Sequence, residues 1–140
     1  CDADAVLLIG DRAMKAAMPG YPYSYDLGQE WTEWTGLPFV YAVWAVRPGV
    51  ELGNTDAALL ESKRRGIEHV AEIAWNEAHR LQFDPAYCRR YLTNIIKFDL
   101  GPSEWQAIHR FHALTAELGL APQEVTFGDY RISHALTATG

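Results

Sequence analysis

The residues best suited to chemistry lie near the start of the chain, where an acid follows an apolar run. Residues 5–10 (AVLLIG) carry no charge, and Asp11 comes directly after them. The run that begins at Asp4 predicts a buried strand that ends in a Gly-Asp turn. In open α/β folds ligands bind beyond the carboxyl ends of the strands, so the Asp11 carboxylate is predicted to lie at a binding site. Asp11 also suits the cap of a short helix over residues 12–17.

An aromatic segment, Trp31 to Pro38, is the second candidate for a site. Trp31 and Trp34 are three residues apart and therefore share one face of a predicted helix. Gly36 is predicted to end that helix, and Pro38 to prevent its resumption. Two interpretations of the tryptophans stay open. They belong to a core, or they form the wall of a pocket for a flat ring, because aromatic faces give a large contact area.

Other catalytic and metal-binding patterns are weak. His109 and His112 lie at i and i+3 on a predicted helix, but neither an HExxH motif nor a cysteine pair accompanies them. His112 is predicted to be a partly buried helix residue. No serine lies in a nucleophile elbow, and the glycines of a nucleotide-binding loop are missing. The sequence therefore predicts no metal site and no cofactor.

Composition and charge exclude several classes of function. A net charge of −6 argues against a nucleic-acid-binding surface, and the cluster Lys63-Arg64-Arg65 is interpreted as an exposed helix face. The sequence has no apolar stretch of the roughly 20 residues that a membrane-spanning helix needs, and no signal peptide. Two cysteines fit a reducing compartment and favour the cytoplasm. Cys1 fits an acylated lipoprotein or a chain that begins in mid-fold, and the early predicted strand favours the second.

The chain divides by pattern into a strand and cleft segment (residues 1–50) and a mainly helical portion (residues 51–140). A second strand, from Phe39 to Val46, is apolar on both faces, as strands covered on both sides are. A sheet of two strands is too small to be stable alone. The pattern therefore predicts an α/β arrangement, with the strands first and the helices after them, and fits the second half of a larger fold.

Three helices are predicted in the second portion. The first runs from Thr55 to His79 and has a weak point at Gly66, since glycine disfavours the helix interior. The second begins at Asp84-Pro85, with the acid at the cap and proline in the first turn. The third opens at Gly101 and ends at Gly119.

The chain resembles the chorismate dehydratase family of menaquinone biosynthesis, which acts in the futalosine pathway. The resemblance rests on "DAVLLIGDRAM", on "YDLGQEWTEWTGLPFVYAVWAVRPG" and, more weakly, on "LTNIIKFDLG" and "FHALTAELGL". It implies the two-lobed fold of type II periplasmic binding proteins, of which this chain is similar to the C-terminal half. The implied activity is that of a lyase, which eliminates water from chorismate to give 3-[(1-carboxyvinyl)oxy]benzoate. This stretch alone is then expected to lack part of the active site.

The resemblance and the residue patterns together give a set of expected roles. Asp11 is the expected catalytic residue. The expected substrate-binding residues lie at the Gly-Asp turn and in the aromatic segment: Ile9, Gly10, Trp31, Trp34, Thr35, Gly36, Leu37 and Pro38. The expected partner is the small molecule chorismate, with no cofactor, no nucleic acid and no membrane, and a homodimer is compatible with this interpretation.

Two other functions stay open. A non-catalytic solute-binding protein would share the fold but would be exported. The sister enzyme of the same pathway, which acts on cyclic dehypoxanthine futalosine, is expected to carry a histidine near the position of Asp11. The nearest histidine in this sequence is His69, so that alternative ranks third.

Overall fold

The computed structural model describes residues 3–15, 21–125 and 127–128, and all regular structure in these ranges is helical. The chain forms two compact units, residues 1–39 and residues 40–140. The helices, in order, are α1 (Asp11–Lys15), α2 (Leu27–Thr35), α3 (Thr55–Glu68), α4 (Val70–Leu81), α5 (Pro85–Arg90) with a π-helical turn directly after it (Tyr91–Ile95), and α6 (Pro102–Glu117). None of these helices is long and apolar enough to cross a membrane.

The predicted strands are absent from the described residues, so the expected two-lobed α/β fold is wrong for this structure. Residues 4–9 and 39–46 have no regular secondary structure. Many of their apolar side chains lie open to solvent, with exposed fractions of 68% for Leu7, 78% for Ile9 and 84% for Trp44. The physical reason is that an apolar run becomes a strand only when a neighbouring strand pairs its backbone groups. The described residues provide no such neighbour.

Helix α2 has its ends fixed by its own sequence. The Asp26 carboxylate accepts hydrogen bonds from the backbone amides of Gly28, at 2.9 Å, and Gln29, at 3.2 Å. Gly36 ends the helix in the left-handed conformation, with φ 71°, and its amide donates to the carbonyl oxygen of Thr32. The predicted stop at Gly36 is confirmed, since glycine adopts this conformation without the cost that a side chain would add.

The predicted helix from Thr55 to His79 is confirmed, except for a break of one residue. The break lies at His69, which has φ −101° and ψ 16° between α3 and α4. Gly66, the predicted weak point, is helical instead.

Ion pairs explain why the helix continues through Gly66. The Arg64 guanidinium contacts the carboxylates of Glu61 and Glu68, which lie on opposite sides of the glycine along the chain. Such i,i+3 and i,i+4 pairs stabilise a helix across the residues between them. Arg65 also pairs with Glu61, at 2.7 Å. The basic cluster is thus an exposed helix face with its charge largely balanced, as its sequence interpretation predicted.

Helices α4 and α5 form the tightest packing of the second unit. Ala74 and Ala78 of α4 are each only 1% exposed and pack with Cys88 of α5. The start of α5 is fixed as predicted, because the Asp84 carboxylate accepts a hydrogen bond from the Ala86 amide at 2.8 Å and Pro85 occupies the first turn. The small alanines let the two helices approach closely.

Helix α6 is bounded as the sequence predicted. Glu104 accepts a hydrogen bond from the backbone amide of Gly101 at 2.9 Å, and Gly119 follows the last turn with φ 71°. Hydrogen bonds from its own amide, from the Ser103 hydroxyl and from the Gly101 amide hold the pKa of Glu104 below its usual range. An ionised Glu104 therefore stabilises the start of this helix.

We expect Glu61 to make the stability of the second unit depend on pH. Hydrogen bonds from Arg64 and Arg65 lower the pKa of Glu61 from 4.5 to about 2. Because the pKa is lower in the folded state, the stabilisation is fully present above about pH 5 and is lost as the pH falls toward about 2. Urea unfolding at about pH 6 and about pH 2, for the parent chain and Glu61→Gln, should show a stability difference that shrinks at the lower pH.

Glu51→Gln is the matched control for this prediction. Glu51 is exposed and makes no ion pair among the described residues. Its substitution should leave the pH dependence unchanged. Equal effects of the two substitutions would contradict the role assigned to Glu61.

Candidate active site

Asp11 is the first residue of α1 and is exposed to solvent. The amides of Ala13 and Met14 donate hydrogen bonds to the carbonyl oxygen of Gly10, at 2.9 and 3.2 Å. Gly10 therefore occupies the cap position, with φ 67°, a conformation that favours glycine. The Asp11 carboxylate makes no hydrogen bond in the described part of the chain, unlike the capping side chains of Asp26 and Asp84. The predicted cap role thus belongs to Gly10, and the Asp11 carboxylate is free to meet a ligand.

Trp31 is the structural anchor of the aromatic segment. It is 7% exposed, and its indole Nε1–H donates a hydrogen bond to the carbonyl oxygen of Pro38 at 3.1 Å. Its ring meets those of Trp34 and Phe39 edge to face, with centroid distances of 6.0 and 5.9 Å. This burial fits the interpretation of Trp31 as a core residue. Trp31 holds the segment in shape.

Trp34 presents its ring to solvent. The side chain is 68% exposed, although one edge contact holds it against Trp31. An exposed indole held in place offers a flat apolar surface to a ligand at a small cost in conformational entropy. Trp34 is therefore the better candidate of the two tryptophans for a direct ligand contact.

Two hydrogen bonds of the Thr35 hydroxyl stabilise the turn after α2. The Thr35 hydroxyl donates to the carbonyl oxygen of Trp31 at 2.7 Å and accepts from the amide of Leu37 at 3.2 Å. Leu37 and Pro38 are partly buried, and Gly36 supplies the left-handed residue that the turn needs. The predicted binding residues from Trp31 to Pro38 thus form one pre-organised segment.

The structure does not join this segment to the Gly-Asp turn. Helices α1 and α2 make no contact with each other. Ile9 is 78% exposed. A single cleft that unites Asp11 with the aromatic segment therefore stays a prediction.

Sequence reasoning missed a pair of tyrosines in front of α2. The rings of Tyr23 and Tyr25 stack with a centroid distance of 6.4 Å, and the side chains are 75% and 66% exposed. The available signal is the alternation of Tyr21, Tyr23 and Tyr25, which places the last two on the same side of the backbone. Together with Trp34 they give this unit a substantial exposed aromatic surface.

The histidines of α6 occupy an aromatic environment. The rings of His109 and His112 lie 5.3 and 5.2 Å from that of Phe127. His112 is partly buried, as predicted, and its Nε2 is a buried atom without a hydrogen-bond partner among the described residues. Among the residues that the structure describes, no group of three or more His, Cys, Asp or Glu side chains is placed to hold a metal ion.

Comparison with known proteins identifies the family. A family model described as menaquinone biosynthesis matches residues 1–117. The chain belongs to this menaquinone biosynthesis family, and the resemblance seen in the sequence is thereby confirmed. The matched range includes the Gly-Asp turn and the aromatic segment.

Two curated relatives carry a more specific name. The chorismate dehydratase of Thermus thermophilus is 39% identical over 111 residues, which cover 65% of this chain and 40% of that protein. The chorismate dehydratase of Campylobacter jejuni is 30% identical over 118 residues, which cover 84% of this chain and 52% of that protein. The chain thus spans about half the length of the curated relatives it matches. No solved structure matches it.

Proposed function

We propose that the protein is a chorismate dehydratase, a lyase that eliminates water from chorismate to give 3-[(1-carboxyvinyl)oxy]benzoate. The observation that carries the proposal is the 39% identity to the chorismate dehydratase of Thermus thermophilus. The family match across residues 1–117, which contain every residue of the candidate site, supports it.

The chemistry of this reaction sets what the site must supply. A proton leaves the ring carbon that bears the enolpyruvyl ether, and the hydroxyl group leaves the neighbouring carbon as water. The electrons of the broken C–H bond form the double bond that completes the aromatic ring. No electron is gained or lost overall, so the reaction needs a proton acceptor and a proton donor but no redox cofactor.

Asp11 is the proposed group for proton transfer or for orienting the leaving hydroxyl. Its carboxylate is exposed and free of hydrogen bonds in the described residues, so it can turn toward a substrate. Arg12, the next residue, is also exposed and would provide positive charge for one of the two substrate carboxylates. A carboxylate beside a bound cyclohexadiene ring suits acid–base work, provided that it reaches the reacting proton.

The proposed surface for the substrate ring is the aromatic segment. Trp34 has its ring largely open to solvent, and the Thr35–Leu37 hydrogen bond fixes the turn beside it. The other members of the proposed site are Ile9, Gly10, Trp31, Thr35, Gly36, Leu37 and Pro38. Chorismate is the proposed partner, in the cytoplasm.

A substrate panel tests this assignment against its alternatives. The full-length native protein should consume chorismate, seen as loss of the diene absorbance and a rise in aromatic absorbance. Tight chorismate binding without turnover would instead indicate a solute-binding protein. Turnover of cyclic dehypoxanthine futalosine, with chorismate left intact, would assign the sister reaction.

A further inference from the structure

A cavity of about 270 Å³ lies between α4 and α5 in the second unit. It is lined by Ala71, Ala74, Trp75, Pro85, Ala86 and Arg89. None of these residues belongs to the candidate active site. The volume is just below the usual range for small-molecule sites, so it suits a ligand no larger than a single ring.

Two residues of the lining, Ala74 and Pro85, lie in packed or capped parts of the two helices. Ala74 is 1% exposed and packs with Ala78 and Cys88 where the two helices meet. Pro85 occupies the first turn of α5, whose start is fixed by the Asp84 cap. A site whose walls are fixed before binding costs less conformational entropy to fill.

Trp75 provides the aromatic surface of the cavity. Its ring lies 4.4 Å from that of His79, and the His79 Nδ1–H donates a hydrogen bond to the carbonyl oxygen of Trp75 at 2.8 Å. Even so, the Trp75 side chain is 58% exposed. The indole is therefore held on one side by His79, and a large area of it stays open for a ligand ring.

Arg89 provides the only charge in the lining. Its side chain is exposed and makes no ion pair in the described ranges, whereas Arg64, Arg65 and Arg80 are paired with carboxylates of their own helices. A guanidinium without a carboxylate partner is able to bind a ligand carboxylate through two parallel hydrogen bonds.

We propose that this cavity is a second binding site, for a monocyclic aromatic carboxylate of the benzoate class. The carboxylate binds to Arg89, and the ring lies against Trp75 beside the alanines of the lining. The site shares no residue with the proposed dehydratase site and does not depend on that function. One positive charge beside one open indole complements a flat ring that carries a single carboxylate.

Titration with benzoate, followed by NMR of the indole N–H signals, tests the site directly. The chain has five tryptophans, and the Trp75 signal is identified by its loss in Trp75→Phe. Benzoate should shift the Trp75 signal and leave the Trp31 signal in place. Benzamide, which has the same shape without the charge, should bind about tenfold more weakly, because a charge-assisted hydrogen bond is lost.

Arg89→Gln and Arg90→Gln are the matched pair of variants. Both remove one exposed arginine of α5, but only Arg89 lines the cavity. Arg89→Gln should weaken benzoate binding about tenfold or more, and Arg90→Gln should leave it unchanged. Chorismate turnover by the full-length protein should be unaffected by either change.

Three results would overturn the proposal. The first is the absence of any Trp75 shift with benzoate, and the second is an equal loss of affinity in Arg89→Gln and Arg90→Gln. The third is equal affinity for cyclohexanecarboxylate, whose ring is not flat, since the site would then not select an aromatic ligand. Each of these outcomes is compatible with an active dehydratase, so the two proposals fail separately.

Discussion

Asp11→Asn in the full-length protein should lower the turnover of chorismate by about 10²- to 10⁴-fold, the usual contribution of a general acid or base. The substitution keeps the size of the side chain and removes its ability to take up and release a proton. Asp11 is exposed and makes no hydrogen bond in the described residues, so the free energy of unfolding should change by less than about 0.5 kcal/mol. Steady-state kinetics and urea unfolding of the same preparation measure both quantities.

Asp4→Asn is the matched control for this variant. Asp4 is exposed, lies in the same segment and makes no hydrogen bond in the part of the chain that the structure describes. It should retain full turnover. If Asp11→Asn also retained full turnover, Asp11 would have no role in proton transfer, and the catalytic assignment would be wrong.

Trp31→Ala should destabilise the first unit by about 3–5 kcal/mol, the usual cost of removing a buried aromatic side chain. The indole is 7% exposed, contacts two aromatic rings and donates a hydrogen bond to the carbonyl oxygen of Pro38. Its loss leaves a cavity and frees the turn after α2. Urea unfolding, followed by circular dichroism, gives the free energy.

Trp34→Ala makes the same chemical change one helical turn away. Trp34 is 68% exposed, so it should lose only the edge contact with Trp31, worth about 0.5–1.5 kcal/mol. Ligand binding should show the opposite ranking of the two variants. In the full-length protein, Trp34→Ala should raise the KM for chorismate while the stability stays near normal. Equal losses of stability for the two variants would contradict the distinction between an anchor and a ligand surface.

The helix ends were predictable from the sequence because they depend on neighbouring residues. Asp84-Pro85, Gly36 and Gly119 act within one turn, through a side chain that accepts an amide hydrogen or a backbone that tolerates positive φ. The sequence did not predict the break at His69, because helix propensity alone favours a break at Gly66. The ion pairs of Arg64 across that glycine outweigh its propensity.

The prediction of two strands was wrong because a strand depends on residues that are distant along the chain. The apolar runs at residues 4–9 and 39–46 indicate a tendency to be buried, but a strand also needs a partner at hydrogen-bonding distance. The partner strand comes from a distant part of the chain, so the periodicity within one run does not indicate whether it is present. The irregular, exposed runs in this structure follow from its absence among the described residues.

In the candidate site, too, local structure was predictable from the sequence and long-range packing was not. The local shape from Trp31 to Pro38 follows from a helix, a glycine stop and a proline, all of which are readable in the sequence. The relation of Asp11 to that segment depends on packing between elements that are distant along the chain. Residue types and spacing indicate the candidate residues, but they do not determine the distance between Asp11 and the aromatic segment.

The most direct test of the central claim is the identity of the product formed from chorismate by the full-length native protein. Proton NMR should show the ring signals of 3-[(1-carboxyvinyl)oxy]benzoate growing as the diene signals disappear, with the enolpyruvyl signals retained. Retention of that group distinguishes loss of water from loss of pyruvate. Release of pyruvate, or chorismate left unchanged beside active protein, would contradict the assignment as a chorismate dehydratase.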